Sequence, residues 1–322
     1  MIQETHSNID ILFFGTSRFA VPVLEALVTH GYRIAGVVTR PDERAGRKCL
    51  LTPPPVKVTA VAHGIPVFQP KKLDVRDFTE GKIPQADVFI VVAYGKIIPK
   101  AILDMPRLGA LNIHPSLLPR WRGPAPIQYA ILHGDAETGV TIMQMDEEMD
   151  HGPILASSKF QVLNSKFVYK ELYDILARMG AELLLETLPR WLKGNITPIP
   201  QDESGATYSK ILMRGDGRID WKKSAREIER MTRAFHPWPG AWTIWTRDGT
   251  PLRVRIEEAD AIDAPPQKGS AGHVWRDAGH PLLVRTGDGS LVIKKIGAEG
   301  RRVLGAEDFI RGYPAFLDTV LE

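Results

Sequence analysis

Three side chains with complementary chemistry fall where this chain could bring them together. An apolar run from Gly109 ends in Asn112 and His114, two residues apart, so the alternation of an extended strand sends both to one face. Thirty-six residues after His114 comes Asp150, within Met145-Asp-Glu-Glu-Met-Asp-His-Gly152, at the end of a second β-like run from Gly139 to Met145. An amide, an imidazole and a carboxylate offer a fixed donor, a titratable acid or base, and a group to orient and charge it. That set suits acyl transfer without a covalent nucleophile. A histidine at a strand end is ordinarily a hydrogen-bonded structural residue, and it is the company of Asn112 and Asp150 that gives His114 a chemical reading.

These residues need elements to hold them. After His114, Pro115, Pro119, Pro124 and Pro126 with Gly123 cannot continue a strand, so the segment reads as a shaped loop before a helix over Ile127 to Leu132. At the N-terminus, Asp10 to Phe14, then Gly15, then a helical Val21 to Thr29 read as strand, turn and helix, the opening of an α/β domain. The single Gly15 does not meet the three-glycine requirement of a dinucleotide-binding turn. Further strands at Arg33 to Val38, Asp87 to Ala93 and Ala110 to Ile113 are spaced for crossover helices and imply a largely parallel sheet. Ligands of such sheets sit outside the carboxyl ends of the strands, where Tyr94, Gly95, Asn112 and His114 fall. Between the second strand and the next helix, Thr39 to Pro55 is long for a connection and carries Arg40, Arg44, Arg47 and Lys48. It is either a disordered surface loop or a functional arm.

Farther on, Ser165 to Lys193 has the apolar spacing of a packed helix. A polar segment with Pro and Gly, 195–206, reads as a linker between a catalytic domain, 1–194, and a second domain, 207–322. The second domain opens with a helix over Ser224 to Phe235. Short strands follow at Ala241 to Thr246, Leu252 to Glu258, Gly272 to Trp275, Leu282 to Thr286 and Leu291 to Ile296, the pattern of a small β-barrel. Trp238, Trp242 and Trp245 read as core rather than as stacking platforms.

Composition sets wider bounds. At 43% hydrophobic and 25% charged, with no apolar run near the roughly 18 residues of a membrane span, the chain reads as globular and without a membrane partner. The N-terminus lacks a secretory pattern and Cys49 is the sole cysteine, which predicts a reducing, cytoplasmic setting. No metal-ligand spacing stands out. Net charge is +3, and residues 207–322 carry all of it, with 19 Lys and Arg against 16 Asp and Glu, leaving 22 of each before them. That excess is weak support for a polyanion partner.

Taken together, Asn112-x-His114, Ser116-Leu-Leu-Pro119, Arg122-Gly123 and Asp150-x-Gly152 resemble the signature of the folate-dependent formyltransferase family, which uses 10-formyltetrahydrofolate. The longer match through Trp121 and through Gly139 to Asp146 is similar to the branch that formylates initiator methionyl-tRNA for translation initiation. The resemblance implies a Rossmann-like α/β domain with helices on both faces of a mostly parallel sheet, followed by an OB-fold-like β-barrel that contacts tRNA. It implies that Ser116, Leu117, Leu118 and Pro119 wall the folate pocket. It also implies that the basic segment, through Pro41-Asp42-x-x-Ala45-Gly46-Arg47, is an arm at the tRNA acceptor end. One departure stands: the family commonly follows that arginine with a glycine and paired lysines, whereas here Lys48-Cys49-Leu50 follows, so the second lysine has no counterpart.

The expected reaction is direct attack of the methionyl amine on the formyl carbon. Asn112 and protonated His114 donate to the developing oxyanion, and Asp150 holds the imidazole and favours its cation. No metal and no obligate protein partner enter this scheme. A sugar-amine formyltransferase would share the triad but has less use for the basic segment and barrel. A formyltetrahydrofolate hydrolase would need a regulatory domain ahead of Asp10. A non-catalytic RNA-binding protein would have no need of Asn112, His114 and Asp150.

Overall fold

The computed structural model describes residues 9–46, 49–162, 166–263 and 269–322. Arg47 and Lys48, and Ser165 at the expected start of a helix, lie outside the described residues. The chain forms two compact units, one of Met1–Pro126, Glu137–Gln161 and Tyr173–Ser209, the other of Ile127–Ala136, Val162–Leu172 and Lys210–Glu322.

In chain order the strands of the first unit are β1 (Asp10–Gly15), β2 (Arg33–Val38), β3 (Glu43–Ala45), β4 (Leu50–Thr52), β5 (Val67–Phe68), β6 (Val88–Val92), β7 (Ala110–His114), β8 (Glu137–Gln144) and β9 (Ile154–Gln161). The helices are α1 (Val21–Thr29), α2 (Pro55–Ala62), α3 (Val75–Thr79), α4 (Lys100–Leu103), α5 (Pro126–His133) and α6 (Tyr169–Leu192), the last two crossing the division between units. Seven strands form one sheet in the order β5-β2-β1-β6-β7-β8-β9. Pairing is parallel from β5 to β7 and antiparallel for β7 with β8 and β8 with β9. For β8 and β9 the antiparallel pairing follows from their short connection, since Asp150 and Gly152 occupy a turn too brief for a crossover.

Both faces of this sheet are covered. Every residue of β6 is buried, as its unbroken Val-Phe-Ile-Val-Val run requires. Ala110 of β7 shares a core cluster with Phe78 of α3 and Ile102 and Leu103 of α4. On the opposite face, a methyl added at Gly180 of α6 would meet Ile113 Cγ2 at 2.9 Å, so this helix lies close against β7. Asn112 and His114 continue the Ala110 face beyond its apolar part, which puts polar side chains at the carboxyl end of the sheet.

The described residues of the long basic connection include regular structure. β3 and β4 form a two-stranded hairpin, Arg44 opposite Leu51. Its base is pinned by Lys57 of α2, whose ammonium donates to both Asp42 carboxylate oxygens at 2.8 and 2.9 Å and to Gln69 Oε1 at 2.8 Å. Gln69 in turn donates to Arg40 O and Asp42 Oδ1.

The second unit adds α7 (Ala225–Ala234), β10 (Ala241–Arg247), β11 (Thr250–Ile262), β12 (Val274–Trp275), β13 (Leu283–Arg285), β14 (Ser290–Ala298), β15 (Leu304–Gly305) and α8 (Ala306–Gly312). α7 starts in a capping box, Ser224 and Glu227 each satisfying the other's backbone N–H. The antiparallel sheet runs β10-β11-β14-β13-β12, with β15 also on β14. Its two edge strands are joined by the final residues: Val274 exchanges hydrogen bonds with Asp318 and Thr319, Leu321 donates to Gly272 O, and Glu322 exchanges two with Ile244. The barrel-like sheet therefore meets itself through the C-terminal segment. Trp245 is buried in this unit, as read from sequence; Trp238 is not, being 53% exposed. Among the described residues no helix is long and apolar enough to cross a membrane.

Candidate active site

β7 is short and held on both sides, Asn112 beside Val91 of β6 and Met143 of β8, and His114 beside Thr141 of β8. Both side chains are buried, at 9% and 5% exposure. The loop after β8 brings Asp150 to them. Asn112 Nδ2 donates to Asp150 Oδ1 at 3.2 Å, and the backbone N–H of Gly123 donates to Asp150 Oδ2 at 2.7 Å. Asp150 Oδ2 lies 3.6 Å from His114 Nδ1, close enough to feel the charge but too long for a formed hydrogen bond. The other ring nitrogen, Nε2, is 3.0 Å from Trp121 O. A carbonyl only accepts, so Nε2 carries the proton and Nδ1 is the atom that faces the carboxylate. The three residues singled out in the sequence are thus brought together.

The loops that carry these contacts are shaped locally. Trp121, Gly123 and Asp150 all have positive φ, of 59°, 100° and 52°. For Asp150 that conformation costs roughly 1–2 kcal/mol, which its surroundings must offset. A methyl at Gly152 would lie 1.9 Å from Gln144 O, so only glycine allows the Asp150 loop to return this close to the end of β8.

Two contacts that sequence reasoning missed complete the arrangement. Gln201 donates from Nε2 to Asp150 O and Gly152 O, both at 2.8 Å. Arg122, only 1% exposed, donates to Gln201 Oε1, to Tyr208 Oη at 3.0 Å and to Glu203 at 2.5 Å. That guanidinium holds the Glu203 carboxyl below its usual range. His151, bonded at 2.6 Å to Asp146 Oδ2, is pushed above its ordinary value chiefly by that bond. Backbone bonds fasten the same stretch, Arg122 to Thr207 and Ser209 to Arg122. Residues expected as a linker and domain boundary thus form a strap over the site loops of the first unit. The signal was slight, because a lone glutamine in a polar segment carries no periodicity.

The residues expected at a folate site divide. Ser116 is buried, its hydroxyl donating to Arg120 O and its carbonyl accepting from Thr141 Oγ1. Leu118 is buried, its backbone N–H donating to Thr141 Oγ1 of β8, and Leu117 lies over Gly139 of the same strand; Pro119 stays half-buried. The Tyr94 ring turns into the core, edge-on to Phe14, and burial pushes its phenol up to about 12. What the end of β6 leaves for a ligand is main chain, with Ala93 and Gly95 at φ 46° and 77°. Of the basic set, Arg40 donates to Glu43 at 2.7 Å while Arg44 stands exposed on the hairpin. Among the described residues no group of three His, Cys, Asp or Glu side chains could hold a metal ion.

Residues 7–188 match the formyl transferase family profile and residues 212–314 that of the formyl transferase C-terminal domain, so fold and site define a formyl transferase. The methionyl-tRNA formyltransferase of Chloroflexus aurantiacus is 47% identical over 310 residues, 95% of this chain and 97% of its own. That of Myxococcus xanthus is 44% identical over 304 residues, 94% and 95% of the two chains. The chain belongs to the methionyl-tRNA formyltransferase family. Solved structures share its fold: HypX from Aquifex aeolicus in complex with tetrahydrofolic acid covers 98% of this chain with 48% of its own, at 20% identity and a TM-score of 0.60. An N-formyltransferase from Helicobacter canadensis covers 88% with 98%, at 18% identity and a TM-score of 0.63.

Proposed function

We propose that this chain transfers the formyl group of 10-formyltetrahydrofolate to the amine of initiator methionyl-tRNA, with Asn112, His114 and Asp150 as the catalytic residues. The observation that carries the assignment of roles is the convergence on Asp150: an amide, an imidazole and a backbone N–H all address one carboxylate. Asn112 has two amide hydrogens and gives one to Asp150, which leaves the other for an oxygen that gains charge as the amine adds. His114 and Asp150 take up the proton the amine must lose, Nδ1 being the ring atom turned to the carboxylate; as the intermediate collapses, the formyl carbon–N10 bond breaks and that proton passes to N10, releasing tetrahydrofolate. For His114 to donate to the oxyanion instead, its ring would give up Trp121 O or Asp150. The geometry therefore favours Asn112 as the oxyanion donor and the His114–Asp150 pair as the proton acceptor. Hydrogen bonds of this kind tighten when substrate is bound.

The folate is a substrate here, and the residues present suit it. The main chain at Ala93 to Gly95 and the Ser116 to Pro119 loop border the carboxyl ends of β6 and β7, where such sheets receive ligands. Arg40, Arg44, Arg47 and Lys48 hold tRNA through phosphates, and the barrel of the second unit adds to that grip. Incubation with 10-formyltetrahydrofolate and a panel of charged tRNAs, assayed for formylmethionyl-tRNA, tests the reading. Turnover on methionyl-tRNA is expected, and turnover on a nucleotide-linked amino sugar in its place would overturn it.

A further inference from the structure

The Asp150 loop has a strained backbone and a carboxylate that must meet two other side chains, and the bonds made inside the loop, from Glu148 N–H and His151 Nδ1 to the Asp146 carboxylate, do not reach Asp150. What holds it lies far away in the chain. Gln201 reaches the main chain on both sides of His151, donating to the carbonyls of Asp150 and Gly152. The orientation of its amide is dictated by Arg122, whose Nε and Nη2 point at Gln201 Oε1 from 3.1 and 2.9 Å. Guanidinium only donates, so the oxygen of Gln201 must face Arg122 and its NH2 must face the loop carbonyls. Arg122 stands between Trp121, whose carbonyl accepts from His114 Nε2, and Gly123, whose N–H donates to Asp150 Oδ2. One pair of side chains thus bears on both halves of the triad: on the Asp150 backbone through Gln201, and on the flanking contacts through the main chain of Arg122.

We infer that Gln201, oriented by Arg122, is a positioning residue for formyl transfer: it clamps the Asp150 backbone so that the carboxylate meets Asn112 and His114. The inference rests on Asp150 being catalytic. A carboxylate displaced by an ångström costs about a hundredfold in rate without loosening either substrate, because the contact matters mainly in the transition state. The clamp therefore acts on kcat and not on KM.

The test separates clamping from mere support of Arg122. In Gln201→Glu the new carboxylate still accepts from Arg122 but cannot donate to the two loop carbonyls and repels them. In Gln201→Met both functions are lost. Rates and melting temperatures are measured on the full chain. Gln201→Glu is expected to remain folded at the assay temperature with a melting temperature lower by a few degrees, to keep the KM for 10-formyltetrahydrofolate and methionyl-tRNA, and to lose about ten- to a hundredfold in kcat, as Gln201→Met does. In an Asp150→Asn background, followed by single turnover with enzyme in excess, adding Gln201→Glu should cost less than about twofold, because the two changes damage one unit. Wild-type kcat in Gln201→Glu, or a full additional loss in the Asp150→Asn background, overturns the clamp. Wild-type activity in Asp150→Asn alone overturns the assignment of Asp150 and the clamp with it. An inactive Asp150→Asn beside a fully active Gln201→Glu rejects only the clamp.

Discussion

At the end of β7 one carboxylate is held by a main-chain N–H and a side-chain amide, with an imidazole alongside, all largely shielded from water. On the β3–β4 hairpin Arg44 is exposed, with Leu50 and Leu51 63% and 68% exposed beside it, and the base is tied down through Asp42 and Lys57. Both belong to the first unit, and the difference lies in what surrounds the charge. Fixed dipoles around a shielded group act on charge that forms during reaction and respond little to salt. Exposed cations act on charge already present on a partner and are screened by it. Under the proposed function, these two settings divide rate from recognition between the seven-stranded sheet and the separate β3–β4 hairpin.

That division can be broken most sharply at the triad. Asn112→Ala, His114→Ala or Asp150→Asn should each lower kcat by about 10²- to 10⁴-fold with the circular dichroism unchanged, and near-wild-type turnover of the His114 variant would remove it from the mechanism. Arg44→Ala should leave kcat intact and cost about 1 to 3 kcal/mol in kcat/KM for methionyl-tRNA, with a flatter salt dependence and no change in folate KM. Arg47→Ala is expected to behave alike, and Arg40→Ala less so because Glu43 already takes up its charge. A kcat/KM for tRNA that ignores both Arg44 and Arg47 would take the hairpin out of recognition.

Smaller effects sharpen the contrast. Lys57→Met frees the hairpin base and should raise the tRNA KM by about two- to fivefold. The Lys57 and Gln69 hydrogen bonds hold the Asp42 carboxyl below its ordinary range, so its contribution is present at neutral pH and lost as pH falls through the lowered folded value. In the variant Asp42 should titrate nearer 3.8, and an unshifted NMR midpoint would deny the coupling. Beside the triad the sign reverses. His151 is raised above 6.5 by Asp146, so its contribution is full below that value and fades as pH rises through the folded midpoint. A His151 midpoint at or below 6.5 would contradict the contact.

The contrast also runs through what could be read from the residues alone. Asn112 and His114 were legible because strand alternation is strict, and Asp150 because its loop ends in a glycine the backbone demands. Most of the sheet followed from unbroken apolar runs such as Val88 to Val92. The hairpin was left open between loop and arm, since three-residue strands of charged and exposed residues carry no alternation. β9 was not foreseen: it is an edge strand whose Ala156, Ser157 and Ser158 give little apolar signal. Gln201 and Arg122 could not be paired, because 79 residues separate them and neither spacing nor periodicity links a glutamine to a distant guanidinium. Trp238 was misread as core, since composition favours burial of tryptophan and says nothing about which one the turn before β10 leaves outside.

The hydrogen bond from Gly123 to Asp150 gives the protein a built-in spectroscopic reporter. A short bond from a peptide N–H to a carboxylate at 2.7 Å draws the proton resonance downfield and slows its exchange with solvent. That single amide peak can be followed through substrate addition and variant series, and it registers the charge and placement of the Asp150 carboxylate without a label on any side chain that takes part in the reaction.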